Sequence, residues 1–220
     1  MNPRELAAMI DHTLLKPEAT SAMIDRLCAE AAEYRFAAVC VQPVWIRHCT
    51  RLLQGTTVKV AGVVGFPLGG SRTDTKVDEA IRALEDGAEE IDMVIRLGDL
   101  VAGDTPVVTD DIAAAAAAVH RTISHAVLKV ILETAALTAA QVIAGCTCAI
   151  AGRADFVKTS TGFHPAGGAS IEAVRLLCEH AAPLKVKAAG GIRDAATAMA
   201  MINAGAARLG TSAGIKIIGK

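Results

Sequence analysis

The sequence predicts an α/β protein whose parallel strands close into a single (β/α)8 (TIM) barrel domain over residues 1–220. Three observations lead to this fold class. Strand-like and helix-like segments alternate about eight times, the signature of βα units around a parallel sheet. The strand segments are nearly unbroken apolar runs, as strands covered on both faces must be. Polar residues able to do chemistry recur where those runs stop, at the barrel end where such folds build their sites.

Composition fits this architecture and narrows the function. Apolar residues make up 52% of the chain and aromatic residues 3%, so the core is built from Ala, Val, Leu and Ile under alanine-rich helices. A formal charge of −1 leaves no basic footprint for nucleic acid. The first nine residues carry Arg4 and Glu5 and lack the apolar region of a signal peptide. No apolar run approaches the ~20 residues of a membrane span. A cytoplasmic protein with neither nucleic-acid nor membrane partners is expected. Cys28, Cys40, Cys49, Cys146, Cys148 and Cys178 have no disulfide rhythm. One residue separates Cys146 from Cys148, where zinc sites favour two to four, and the six histidines lack ligand spacing. No metal and no cofactor are expected.

The elements follow in order. A first strand over Met9–His12 leads into Thr13–Pro17, where Pro17 stops regular structure. A helix follows from about Thr20 to Tyr34, with Met23, Ile24, Leu27, Cys28 and Ala31 near a 3.6-residue period. The second strand is Ala37–Val41; Trp45, Cys49, Leu52 and Leu53 mark the helix after it. The third strand, Val58–Val64, opens into Gly65–Gly70, a loop whose glycines let backbone approach a ligand. A charged helix runs from about Thr73 to Asp86. The fourth strand, Glu90–Ile95, holds Asp92 inside an apolar run. A long connection through Leu97–Val101 precedes an alanine-rich helix, Thr109–His120. The fifth strand is Val127–Leu132, ending at Glu133–Thr134. Thr138 and Gln141 form a capping box for a helix to Ala151. The sixth strand is Phe156–Lys158, followed by a helix over Ser170–His180. The seventh is Leu184–Ala188. Asp194 caps the next helix, which ends near Gly205. The eighth strand, Ala207–Leu209, opens into Gly210–Gly214, and a turn of helix closes the chain.

The strand ends carry Asp11, Cys40, Asp92, Glu133, Lys158 and Lys187. A rim of solvated salt bridges explains any one of them; the set, placed consistently at strand ends, points to a site. Phe156-Val157-Lys158-Thr159-Ser160-Thr161-Gly162 is the central stretch, a short apolar strand that delivers a lysine to a polar loop. A neutral lysine is a nucleophile toward carbonyls, and a free one titrates near ~10.4. Lys158 and Lys187 lie 29 positions apart, one βαβ unit, and so belong on neighbouring strands. Two ammonium groups ~4 Å apart at an effective dielectric of ~20 repel by about 4 kcal/mol. That energy corresponds to about three pKa units, so one lysine can keep the other neutral. Lys158 is expected to attack and Lys187 to supply the charge. Lys185 lies one layer deeper than Lys187, and Lys129 falls too early in its strand; both are read as structural. Asp92 is the expected acid/base, and Asp11 the partner that holds Lys187.

A second pattern suits phosphate. Thr161-Gly162, Gly190-Gly191 and Gly210-Thr211-Ser212 all follow late strands, where barrel enzymes bind phosphate with backbone N–H groups.

These motifs resemble those of one family. Ile10-Asp11-His12-Thr13-Leu14-Leu15-Lys16-Pro17 is similar to the N-terminal signature of deoxyribose-phosphate aldolases. Glu90-Ile91-Asp92-Met93-Val94, Val157-Lys158-Thr159-Ser160-Thr161-Gly162-Phe163, Lys187-Ala188-Ala189-Gly190-Gly191-Ile192-Arg193 and Gly210-Thr211-Ser212 resemble its later motifs. The resemblance covers essentially the whole chain. It implies a metal-free class I aldolase that cleaves 2-deoxy-D-ribose 5-phosphate to glyceraldehyde 3-phosphate and acetaldehyde through a Schiff base on Lys158. Lys187 and Asp92 would be its proton donor/acceptor pair. Gly162, Gly190, Gly191 and Ser212 would hold the phosphate, with Thr159, Thr161 and Gly210 beside them. Cys40 would be a cysteine at the mouth, open to modification. A homo-oligomer, dimer or tetramer, is expected on the same ground. Some members carry a C-terminal tyrosine, whereas this chain ends Ile217-Ile218-Gly219-Lys220 and has its one tyrosine at Tyr34. An aldolase for another phosphorylated sugar or keto acid, a sugar-phosphate sensor without covalent trapping, and a chelator-sensitive aldolase or epimerase are the alternatives.

Overall fold

The computed structural model describes residues 1–220. Eight parallel strands close in sequence order into a barrel: β1 (Ile10–Leu14), β2 (Ala38–Val41), β3 (Lys59–Val64), β4 (Glu90–Val94), β5 (Val127–Ile131), β6 (Phe156–Lys158), β7 (Lys185–Ala189) and β8 (Arg208–Thr211). The ring of neighbours ends with β8 paired to β1. Ten helices lie along the chain, α1 (Pro3–Ala7), α2 (Ser21–Tyr34), α3 (Ile46–Leu52), α4 (Thr73–Glu85), α5 (Leu97–Ala102), α6 (Thr105–Thr122), α7 (Ala139–Ala151), α8 (Ile171–His180), α9 (Ala195–Asn203) and α10 (Gly214–Ile217). None is long and apolar enough to cross a membrane.

Local chemistry sets the helix boundaries. The Thr138–Gln141 capping box forms as expected: Thr138 Oγ1 accepts from Gln141 N at 3.3 Å, and Gln141 Oε1 accepts from Thr138 N at 2.9 Å. Asp194 Oδ1 caps α9 by accepting from Thr197 N at 2.8 Å. α6 starts at Thr105 rather than Thr109 because Asp104 accepts from Val107 N and Pro106 fits the first turn. Two helices are additional. α1 is held by an Asn2–Glu5 capping box, and α5 occupies the connection after β4.

The strands differ from expectation mainly at their ends. β1 runs from Ile10 to Leu14 rather than ending at His12, so Asp11 is its second residue and lies well before its end. β8 continues through Gly210 and Thr211, because Gly210 pairs with Ala189 on one side and Asp11 on the other. A Cβ there would stand 3.1 Å from Lys187 Cε, so the glycine leaves room for that lysine.

Strand alternation divides the interior in two. Outward-facing Ile10, Val39, Ile91, Met93, Leu128, Val130, Val157, Val186, Ala188 and Leu209 join the helices in the main apolar core. A small apolar group, Leu15, Ala38, Cys40, Ala61 and Val63, fills the barrel interior beside β2 and β3. On the β4–β8 and β1 side the interior is instead charged, and the site stands there.

Candidate active site

The barrel interior holds seven charged side chains from six strands: Asp11, Glu90, Asp92, Lys129, Lys158, Lys187 and Arg208. All but Arg208 are buried. Residues two apart on one strand share a face, so Glu90 and Asp92 both point inward from β4. The register sets Asp92 beside Lys129, Lys158 beside Lys187, and Lys187 beside Arg208.

Asp92 is the hub. Its Oδ2 accepts from Lys158 Nζ at 2.8 Å and from Lys187 Nζ at 2.7 Å, and its Oδ1 accepts from Lys129 Nζ at 2.9 Å. Asp11 accepts from Lys187 Nζ through Oδ2 and from Arg208 Nη1 through Oδ1 at 2.6 Å. Glu90 accepts from Arg208 Nη1 at 3.2 Å and pairs with Lys129 Nζ at 2.5 Å. Four cations thus face three carboxylates. Release of one proton from this layer leaves the charges matched.

The electrostatics follow from this crowding. Burial pushes the Asp92 carboxyl up, but Lys129, Lys158 and Lys187 together hold it well below the usual carboxylate range. Burial also opposes ionisation of Asp11, yet Lys187, Lys129 and Arg208 lower it to about 2. Burial disfavours the charged form of Lys187, and the Asp11 and Asp92 carboxylates more than reverse this, so its titration is raised. Lys187 is therefore held as a cation. The expected repulsion between two bare ammonium groups is not the arrangement found: a carboxylate oxygen stands between them and accepts from both.

Above this layer lies a cavity of about 370 Å³. Lys158 is the one member of the charged layer that lines it, together with Thr161, Gly162, Gly190, Gly191, Gly210 and Ser212. The N–H groups of Gly162, Gly190, Gly191 and Ser212 donate to no group of the chain. Gly162, Gly190 and Gly191 have φ of 83°, 90° and 83°, a region glycine enters without penalty. The three late loops thus bring unpaired donors to one mouth, a setting for an anion.

Several expectations are corrected. Only Lys158 ends its strand; Asp11, Cys40, Asp92 and Lys187 lie within theirs, below the cavity floor. Cys40 is fully buried rather than at the mouth. Its Sγ is 3.9 Å from Asp92 Oδ2, and burial with the nearby Asp92 charge pushes the thiol up to about 11. Thr159 does not line the cavity either. Its hydroxyl donates to Ala189 O at 3.1 Å and accepts from Ala189 N at 3.0 Å, tying β6 to β7. Lys129, read from sequence as structural, sits against Asp92 in the charged layer. Arg208 and Glu90 were not singled out at all. Strand parity held the signal, because Glu90 shares a face with Asp92 and a charge inside a buried strand needs a partner. Lys185 opens β7 and is exposed, 5.8 Å from the centre of the Phe156 ring.

A parallel eight-stranded barrel with a buried lysine–carboxylate layer beneath a cavity at its mouth has the architecture of a barrel enzyme. The chain belongs to the DeoC/LacD family of aldolases, which it matches over residues 6–220, and it is accordingly a carbon–carbon lyase. A deoxyribose-phosphate aldolase from Brevibacillus brevis is 49% identical over 210 residues, 95% of this chain and 93% of that protein. One from Deinococcus radiodurans is 50% identical over 97% of this chain and 95% of that protein. The tetrameric deoxyribose phosphate aldolase from Aeropyrum pernix superposes with a TM-score of 0.91 at 34% identity, covering 99% of this chain and 91% of that one.

Proposed function

We propose that the chain is a class I deoxyribose-phosphate aldolase that reversibly cleaves 2-deoxy-D-ribose 5-phosphate to D-glyceraldehyde 3-phosphate and acetaldehyde. The observation that carries this reading is that Lys158 alone among the buried lysines borders the cavity. The neutral Lys158 amine adds to the C1 aldehyde of the open-chain sugar. The carbinolamine loses water to give an iminium, which draws electrons from the C2–C3 bond. That bond breaks as the C3 hydroxyl loses its proton. Glyceraldehyde 3-phosphate leaves, and an enamine remains on Lys158. Protonation of the enamine at C2 and hydrolysis of the iminium release acetaldehyde and restore the amine.

Asp92, hydrogen-bonded to both Lys158 and Lys187, accepts and returns these protons, through water where the substrate carbon is out of direct reach. Lys187 remains cationic and holds Asp92 in place, and Asp11 and Lys129 hold Lys187 and Asp92 in turn. The unpaired N–H groups of Gly162, Gly190, Gly191 and Ser212 take the phosphate, with Thr161 and Gly210 shaping the loops that present them. The enzyme acts in the cytoplasm, in deoxyribonucleoside catabolism, as a homo-oligomer.

Borohydride reduction in the presence of acetaldehyde, followed by peptide mass spectrometry, tests the reading. A reduced two-carbon adduct on Lys158 is the expected result. An adduct on Lys187 would reverse the two lysines, and no adduct at all would remove the Schiff base.

A further inference from the structure

We propose that Glu133 is a positioning residue that frees the Gly162 N–H for a phosphate oxygen. Glu133 follows β5 by two residues and is buried at 2% exposure. Two features at this one position are unfavourable on their own. Its backbone is left-handed, at φ 59° and ψ 55°, a region strained for a residue with a side chain. Its carboxylate is out of water, yet the hydrogen bonds it accepts come from neutral groups: Thr161 N at 3.2 and 3.3 Å, and Thr161 Oγ1 at 2.5 Å. A buried carboxylate with neutral partners is costly. Strain and a buried charge meeting at one residue beside a pocket point to a positional task.

The hydrogen bonds say what that task is. Thr161 Oγ1, having donated to Glu133, accepts from Phe163 N at 3.1 Å. The N–H groups on both sides of Gly162 are therefore occupied, Thr161 by Glu133 and Phe163 by Thr161. The Gly162 N–H between them is left free, on a residue that lines the cavity. The left-handed turn at Glu133 brings its carboxylate back toward β6, where Thr134 N donates to Thr159 O at 2.8 Å. Glu133 thus fixes the loop without reaching the substrate. Its bond to Thr161 is charge-assisted, the kind that holds geometry most firmly.

This inference rests on the phosphate reading above, and the test separates the two. Steady-state kinetics of Glu133→Gln are measured with 2-deoxyribose 5-phosphate and with unphosphorylated 2-deoxyribose. KM for the phosphorylated sugar is expected to rise about tenfold, the scale of one hydrogen bond to a charged group. KM for the unphosphorylated sugar and kcat for both should stay within about twofold. Thr161→Val should behave like Glu133→Gln, and Thr161→Ser, which keeps the hydroxyl, should restore the wild-type KM. If Glu133→Gln does not fold, the two Thr161 variants carry the test. Equal effects on the two substrates, or unchanged KM in the folded variants, overturn the role of Glu133. Ser212→Asp is the control: if it too raises KM equally for both sugars, phosphate does not bind here, and both readings fall. If it acts on the phosphorylated sugar alone while Glu133→Gln and Thr161→Val do not, only the positioning role falls.

Discussion

Lys158 and Asp92 are joined by a 2.8 Å bond between Nζ and Oδ2, from strands β6 and β4 that are not neighbours in the barrel. The bond crosses the barrel interior and ends at the floor of the cavity. It links the proposed nucleophile directly to the proposed proton carrier, which in turn reaches Lys187 and Lys129. Charge in this layer is therefore shared: altering one member changes what the others balance.

Lys158→Ala should reduce aldol cleavage to the uncatalysed background, because the attacking nitrogen is lost. Asp92 keeps Lys187 and Lys129 as partners, so the loss of stability should stay below the 3–5 kcal/mol typical of a stranded buried charge. Activity assays paired with urea unfolding check both halves. An inactive but near-normally stable variant is expected, and retained turnover would exclude Lys158 as the nucleophile.

Gly210→Ala tests how tightly Lys187 is placed. The added methyl would lie 3.1 Å from Lys187 Cε and 3.0 Å from Ala189 Cβ, so the lysine must shift by a few tenths of an ångström while bound to Asp11 and Asp92. A small misplacement in a catalytic constellation costs about tenfold or more in rate. Lower kcat with a KM close to wild type is the expected outcome. An unchanged kcat would mean that the position of Lys187 is not critical.

Asp11 sets a pH dependence of stability. Its carboxyl is lowered to about 2 in the folded chain against ~3.9 when unfolded. The folded state therefore gains stability from this group above about pH 4, and loses it as pH falls toward 2. The amount is ~2.6 kcal/mol. Asp11→Asn should remove this part of the acid dependence. It should also destabilise the chain near neutrality, but by less than the ~3–5 kcal/mol of a stranded buried charge, because Lys187 keeps Asp92 and Arg208 keeps Glu90. Urea unfolding across pH 2–7 measures both effects.

The cysteines should differ sharply in reactivity. Cys40 is fully buried and its thiol is pushed up to about 11, so little thiolate exists near neutral pH and reagents cannot reach it. Cys178 is the one cysteine that is not buried. Iodoacetamide labelling of the native protein, read by peptide mass spectrometry, should mark Cys178 first and spare Cys40. Early labelling of Cys40 would show that the barrel interior opens.

The barrel and its main lysine were legible because both are written locally. Apolar runs such as Lys59–Val64 and Val127–Ile131 spell out buried strands, and turn residues separate them. Lys158 stands at the end of one such run, before a Thr-Ser-Thr-Gly loop. The spacing of Lys158 and Lys187 sufficed to put them on adjacent strands, which the register confirms. Strand ends were less legible. Gly210 looked like loop because glycine disfavours strands, whereas in the barrel its missing side chain makes room for Lys187.

Sequence alone determined the parallel (β/α)8 class and singled out Asp11, Asp92, Lys158 and Lys187 among the residues able to do chemistry, because hydrophobic period and turn chemistry act between near neighbours in the chain. Tertiary structure alone decided which of those residues meet. Lys129 joins the charged layer because β4 and β5 align it with Asp92. Arg208 joins because β8 closes against β1 and brings it to Asp11, 197 positions away. Cys40 and Thr159 leave the cavity because the inside of the barrel and its mouth are separated by height along the strands, a coordinate fixed by register. Closure of the ring sets that register, and so it also sets which lysine lines the cavity and which stay buried with the carboxylates.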